Sequence, residues 1–169
     1  QEMISVVVDN TTGGYQAAEH LYGCGMRHPA MICGPEDRLS VQDRLKGFSQ
    51  RTKELKLEMP QNTYYGNYDF DHGFEAAKHL MKDHPETDGI FCANDYIAAG
   101  AISALQSMNI RIPNQVRVVG FDNRDFSEFW NTPITTFELP LQEMGMLGVS
   151  LLKQVINTGA YSKQKHVLQ

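Results

Sequence analysis

The chain is defined first by what it does not contain. Across its 169 residues no apolar run approaches the roughly 18 residues of a membrane helix, and no secretory signal is visible. There is no low-complexity tract and no internal repeat. Catalytic signatures are missing too: no Gly-x-Ser-x-Gly elbow, His-Glu-x-x-His pair, Walker loop or kinase set occurs. The six histidines are scattered, and His79 and His84 do not share a helical face, so no metal site is expected. Basic residues are outnumbered, 15 Lys and Arg against 20 Asp and Glu for a net charge of −5. That excludes this segment as a nucleic-acid-binding surface, because such surfaces are basic. The three cysteines, Cys24, Cys33 and Cys92, are odd in number and have neither paired nor metal-type spacing. Cys33 and Cys92 end apolar strands and read as small buried hydrophobes in a reducing compartment. The chain is expected to be neither an enzyme nor a carrier of a metal or cofactor.

What is present is an ordinary globular composition, 41% hydrophobic and 21% charged. The length suits one domain or two small lobes. The chain opens on Gln1 and its first strand follows almost at once, so it is expected to be part of something longer.

One stretch organises the rest. Gly89 to Ala93 is a short apolar run suited to a buried parallel strand. Asn94-Asp95 follows where a strand hands over to a helix, and both residue types are good N-caps. Ile97, Ala98, Ala101, Ile102 and Leu105 then recur at helical spacing. Ligands of open α/β sheets bind at such strand ends.

Other segments repeat the unit. Ile4 to Val8 reads as a strand ending in Asp9-Asn10-Thr11-Thr12-Gly13-Gly14, with a helix after it carrying Ala17, Ala18, Leu21 and Tyr22. Gly23-Cys24-Gly25 stops that helix; lacking a third Gly and lying before a strand, it is a C-cap and no phosphate loop. His28 to Pro35 is a strand leaving into a loop, and Ser40 to Asp43 resembles a capping box. The helix it opens carries Val41, Leu45, Phe48 and Leu55 inward, with Arg44 in its first turn. Arg44 is either a solvated charge or a ligand clamp. Thr63-Tyr64-Tyr65 suggests a strand, and residues 66–73 a polar, aromatic loop before a helix with Phe74, Ala77 and Leu80. Val116 to Gly120 is another buried strand, ending in Phe121-Asp122-Asn123. After an aromatic stretch (Phe126, Phe129, Trp130) come a short strand at Ile134 to Phe137, a helix from Pro140 and an edge strand around His166 to Leu168. About five β-α units predict a mostly parallel sheet covered on both faces.

The strand ends place Asp9-Asn10, Asn94-Asp95 and Asp122-Asn123 on one rim, with Arg44 and Tyr68 from neighbouring segments. Amides, carboxylates and aromatic faces together suit a polyhydroxylated ligand. The same residues serve equally as caps and turns, which Asn and Asp favour in any case.

Several motifs, in order, carry a resemblance. They are Val8-Asp9-Asn10, Gly13-Gly14-Tyr15, Glu19-His20-Leu21, Gly25-Met26-Arg27-His28 and Gly34-Pro35. Then come Ser40 with Arg44-Leu45-Lys46-Gly47-Phe48, Phe91-Cys92-Ala93-Asn94-Asp95 and Ala98-Ala99-Gly100-Ala101. Val118-Val119-Gly120-Phe121-Asp122-Asn123, Pro133-Ile134-Thr135-Thr136 and Met144-Gly145 complete the series. From about Val6 to Thr158 the chain resembles the effector-binding core of LacI/GalR-family transcription regulators.

The resemblance implies a periplasmic-binding-protein-like clamp of two Rossmann-type lobes. Residues 1–27 would end the N-terminal lobe and 28–139 would form the nearly complete C-terminal effector-binding lobe. Residues 140–159 would return to the N-terminal lobe, and 160–169 would cross back. Apolar faces are expected over residues 4–22 and 141–156. Arg44, Asn94 and Asp122 match the family's polar effector contacts, Tyr68 its aromatic loop position, and Leu141 an apolar position near the hinge; Asp95 is expected as a helix cap. The family's dimer interface maps to Ile97, Ala101 and Leu105 and to Phe126, Phe129 and Trp130. The implied partners are a small-molecule effector (a sugar or sugar phosphate, although purines and nucleosides also serve in the family), a second copy, and DNA only through a helix-turn-helix headpiece outside this sequence. No membrane partner is implied, and the implied location is cytoplasmic. A periplasmic sugar-binding protein of a transport system shares the fold and is the alternative. The unpaired cysteines and the motifs at 91–95 and 119–122 favour the regulators.

Overall fold

The computed structural model describes residues 4–59, 63–159 and 165–168. The chain forms two compact units, one of residues 10–138 and one of residues 1–9 with 139–169.

The larger unit is built on a parallel sheet of β2 (Pro29–Ile32), β3 (Gly89–Cys92) and β4 (Arg117–Val119), in the order β2-β3-β4. Single bridges widen it at both edges, Ile32 with Tyr64 and Val119 with Thr135. The expected strands at 63–65 and 134–137 are thus reduced to isolated pairings. Side chains alternate between faces along a strand, yet Ile90, Phe91 and Cys92 are all fully buried. Both faces of β3 are therefore covered.

The cover comes from two helix pairs, α1 (Asn10–Gly23) with α2 (Leu39–Glu54) and α3 (Phe70–Asp83) with α4 (Asp95–Ser107). Each pair crosses at glycines. A Cβ on Gly47 would overlap the Thr11 carbonyl, and one on Gly14 the Arg44 carbonyl; Gly73 and Gly100 stand in the same relation to Ile97 and Phe70. This is why α1 begins at Asn10 and runs through Gly13-Gly14, which the sequence suggested as loop. Backbone contact at the crossing outweighs the poor helix propensity of glycine. Phe48, tilted against Phe91 at 5.3 Å, joins Ile90, Ile97, Leu80 and Leu105 in the core. Each such side chain contributes about 1.5–3 kcal/mol on burial.

Several helix ends follow local chemistry. Asp69 caps α3 by accepting from His72 N at 2.8 Å, so the loop expected over 66–73 ends at Asp69. Gly25, at φ +99°, closes α1: Gly25 N bonds Tyr22 O and Met26 N bonds Leu21 O, the paired bonds of a Schellman cap. The capping box at Ser40 does not form. The α2 N-cap is Arg38, without a side-chain bond, and Ser40 Oγ lies instead 3.3 Å from the Tyr68 hydroxyl.

The smaller unit pairs β1 (Ser5–Val8) in parallel with β5 (Lys165–Leu168), alongside α5 (Leu141–Thr158). No residue of α5 is buried, and Leu141, Met146, Val149, Leu152 and Ile156 are exposed. Ile4, Val6, Leu151 and Val155 line a groove of about 400 Å³. The expected apolar exposure is therefore found over 141–156. Over 4–22 it is not found: Ile4 to Val8 are half-buried, and α1 packs on α2. The division falls after Asp9 and Glu138, in place of the expected 27 and 139. Of the tail expected to cross back, residues 160–164 and 169 lie outside the described residues, and β5 stays with β1.

Cys33 and Cys92 are buried, and Cys24 is exposed. Burial pushes the Cys33 thiol up to about 12 and raises Cys92 as well, so neither is a thiolate at neutral pH. A disulfide-exchange reagent at neutral pH should titrate one thiol per native chain and three after denaturation. Gly47→Ala should lower stability by about 1–3 kcal/mol or more, because the atom it meets is backbone and cannot swing aside; urea unfolding measures this.

Candidate functional site

Arg44 is the centre of the polar rim. The second turn of α2 carries it beneath the end of β3, where it is only 5% exposed. Its Nε donates to Asn10 Oδ1 at 2.8 Å and its Nη1 to the Ala93 carbonyl. Its Nη2 faces Asp122 Oδ1 at 3.5 Å, and the guanidinium lies 3.7 Å above the centre of the Phe121 ring. Of the two readings left open for Arg44, the solvated charge is excluded.

Burial lowers the pKa of the guanidinium, and Asp122 pulls it back up; arginine remains charged throughout. Burial raises the Asp122 carboxyl above its ordinary value, with Arg44 and Arg124 opposing. Asp122 and Asn123 both have positive φ, +102° and +49°. Non-glycine residues hold such angles only where their surroundings enforce them. The enforcing bonds are Asp122 N to Phe137 O at 3.0 Å and Asn123 N to Thr136 Oγ1 at 3.2 Å. The Phe137 ring stacks on Phe121 at 5.4 Å.

Asn94 and Asp95 exchange their expected roles in part. Asn94 Oδ1 accepts from Ile97 N at 2.9 Å, so Asn94 is the cap of α4 and only its amide NH₂ is left for another partner. Asp95, expected as the cap, is fully buried and accepts from Arg124 N, Ser127 Oγ and Thr136 Oγ1. Tyr68 packs its ring where a Cβ on Gly34 would lie and is near enough to act on the charge of Arg44. Arg44, Asp122, Asn94 and Tyr68 thus belong to one rim, joined by Asn10 and by Phe121, whose stacking role carried no signal in the sequence. Leu141 opens α5 in the other unit and is 61% exposed.

The expected α4 interface is corrected. Ile97, Ala101 and Leu105 are 0% exposed and fill the chain's own core, so they offer nothing to a second chain. Their apolar spacing marked the inward face. The outward face begins with Tyr96, 45% exposed and 4.8 Å from the Phe126 ring. Phe126 also meets Trp130 at 5.7 Å, and Phe129 is 82% exposed. Together these rings form an aromatic patch.

A cavity of about 590 Å³ lies elsewhere, between His20, Cys24, Asn114, Arg117 and Pro133, and shares no residue with the rim. Among the described residues no cluster of His, Cys, Asp and Glu is arranged to hold a metal ion, and no helix is long and apolar enough to cross a membrane.

The periplasmic binding protein-like domain matches residues 18–169. The chain is 32% identical over 145 residues to the HTH-type transcriptional repressor PurR of Haemophilus influenzae (strain PittEE), covering 85% of this chain and 43% of that protein. It is 30% identical over 152 residues to the repressor CytR of Escherichia coli (strain K12), covering 89% and 45%. It therefore spans less than half the length of the curated relatives it matches. A solved complex of the transcriptional regulator CelR with cellobiose superposes with a TM-score of 0.92 at 31% identity, over 99% of this chain and 52% of that one. A LacI-family regulator from Enterococcus faecium with bound ribose has the same fold, with a TM-score of 0.86 at 24% identity over 98% and 61%. A paired α/β architecture, a polar rim at the strand ends and a match over nearly all of its length place this chain in the periplasmic-binding-protein-like domain family, in the branch of the LacI-type transcriptional regulators.

Proposed function

We propose that the chain is the effector-binding and dimer-forming part of a LacI-type repressor, and that its rim takes a sugar or sugar phosphate. One observation carries this: Arg44 is buried with three of its directions committed, while its Nη2 edge and the Asp122 carboxylate stand 3.5 Å apart. A guanidinium edge beside a carboxylate offers donor and acceptor at the spacing of neighbouring hydroxyls. The Asn94 amide adds a donor, and the Tyr68 ring supplies an aromatic face for C–H surface. The bound cellobiose and ribose of the structural relatives support the ligand class.

The proposed mechanism is a population shift. A ligand that favours one arrangement of the lobes biases the whole regulator; a ligand with equal affinity for both would regulate nothing. DNA contact would pass through a headpiece outside this sequence, and the cytoplasm is the compartment such a regulator requires. Pairing of two copies would use the patch of Tyr96, Phe126, Phe129 and Trp130. Phe129, 82% exposed beside the Phe126 and Trp130 rings, would be covered by such pairing.

Calorimetry with cellobiose, ribose and a purine nucleoside tests the ligand reading. Arg44→Ala should weaken the binding that occurs by about 30-fold or more, since truncating one member of a buried charged pair costs about 2 kcal/mol or more. Undiminished binding would overturn the assignment. Acidification should weaken binding with a midpoint above that of an ordinary aspartate, because ionised Asp122 is the acceptor and its pKa is raised; Asp122→Asn should remove this acid limb. Phe129→Glu should lower the dimer fraction in sedimentation while leaving the melting temperature within a few degrees. An unchanged dimer fraction would exclude the patch.

A further inference from the structure

We propose that Asp95 is a positioning residue that locks the pocket acid Asp122 and the aromatic patch into one arrangement, so that a change at either is passed to the other. This rests on the reading of Asp122 as a ligand contact and of residues 126–130 as a protein contact.

Asp95 lies at the first position of α4, directly between the cap Asn94 and the patch residue Tyr96. It is 0% exposed, and among the described residues no Lys or Arg comes within ion-pair distance of it, although Arg44 lies near enough to feel its charge. A buried carboxylate without a cation is costly unless its oxygens are satisfied. Here three donors satisfy them: Arg124 N at 2.7 Å and Ser127 Oγ at 2.8 Å on Oδ2, and Thr136 Oγ1 at 2.6 Å on Oδ1. The space is reserved for it, since a Cβ on Gly120 would overlap Oδ1.

The three donors belong to two different tasks. The Thr136 hydroxyl that donates to Asp95 also accepts from Asn123 N, and so holds the left-handed turn that aims Asp122 at Arg44. Ser127 belongs to the patch. Its N bonds Arg124 O at 2.8 Å and its carbonyl accepts from Ile134 N at 2.9 Å, while the next turn bonds Phe129 N to Phe126 O. The pocket side and the patch side therefore meet on the two oxygens of one carboxylate. An ionised Asp accepts at both oxygens, whereas Asn presents N–H groups to one set of donors.

Two readouts separate the arms without any ligand. Amide exchange at Asn123 reports the pocket turn, and emission of Trp130, the sole tryptophan, reports the patch. Thr136→Val should speed exchange at Asn123 by about tenfold, the size of effect expected for a lost hydrogen bond in a charged network, and leave Trp130 emission unmoved. Ser127→Ala should shift Trp130 emission and leave Asn123 exchange unmoved. Asp95→Asn should move both. Asp122→Ala should shift Trp130 emission in an otherwise unaltered chain but not in the Asp95→Asn background. If Asp95→Asn moves only one readout, or if the Asp122 and Asp95 effects simply add, the proposal is overturned. Should Asp95→Asn fail to fold by far-UV circular dichroism, Asp122→Ala in the Thr136→Val background decides: loss of the Trp130 shift there supports the linkage through Asp95, and a shift that persists refutes it. Sugar binding enters none of these measurements, so a failed calorimetric titration would overturn the ligand reading alone.

Discussion

Three successive residues at the end of β3 hold the larger unit's rim together. The Ala93 carbonyl receives the buried guanidinium of Arg44, Asn94 caps α4, and the Asp95 carboxylate gathers the segment from Arg124 to Thr136. Each draws in a different part of the chain, and each does so by meeting a polar requirement that burial has made strict. An arginine under a sheet must find acceptors, a helix start must find one for its free N–H groups, and a carboxylate without a cation must find donors. Moving any of the three would leave a buried group unsatisfied, so these contacts hold the rim in one arrangement.

The helix crossings serve the same end by different means. Gly14 with Gly47 and Gly73 with Gly100 bring helix backbones into contact, which places α1 against α2 and α3 against α4. Through the first crossing Asn10, at the start of α1, comes within 2.8 Å of Arg44 on α2. The second sets Phe70 under Trp130 at 6.1 Å, beneath the aromatic patch. Packing thus fixes both the rim and the aromatic patch.

Under the proposed regulatory role, such order would need to be local. Ligand binding must favour one of two global arrangements, and energy is lost if it instead deforms the site itself. The proposed linkage through Asp95 would suit that requirement, joining the rim to an exposed aromatic surface by hydrogen bonds.

Much of this was legible in the sequence. The short apolar runs, the strand-end Asn and Asp residues and the Gly-closed helix α1 follow from local rules, because burial on both faces, capping and left-handed closure each demand particular residue types at particular places. Arg44, Asn94, Asp122 and Tyr68 were recognisable as rim residues by motif. Tertiary structure decided the rest. Periodicity names the apolar face of α4 but not whether that face meets the core or a second chain, and it is the core that takes Ile97, Ala101 and Leu105. Asn94 and Asp95 have the same propensity for a cap, and only the donors brought by residues 124, 127 and 136 separate them. Gly13-Gly14 argues locally for a loop, and only the approach of the α2 backbone at Gly14 accounts for its place in a helix. In each case the deciding atom lies tens of residues away, where no local pattern reaches.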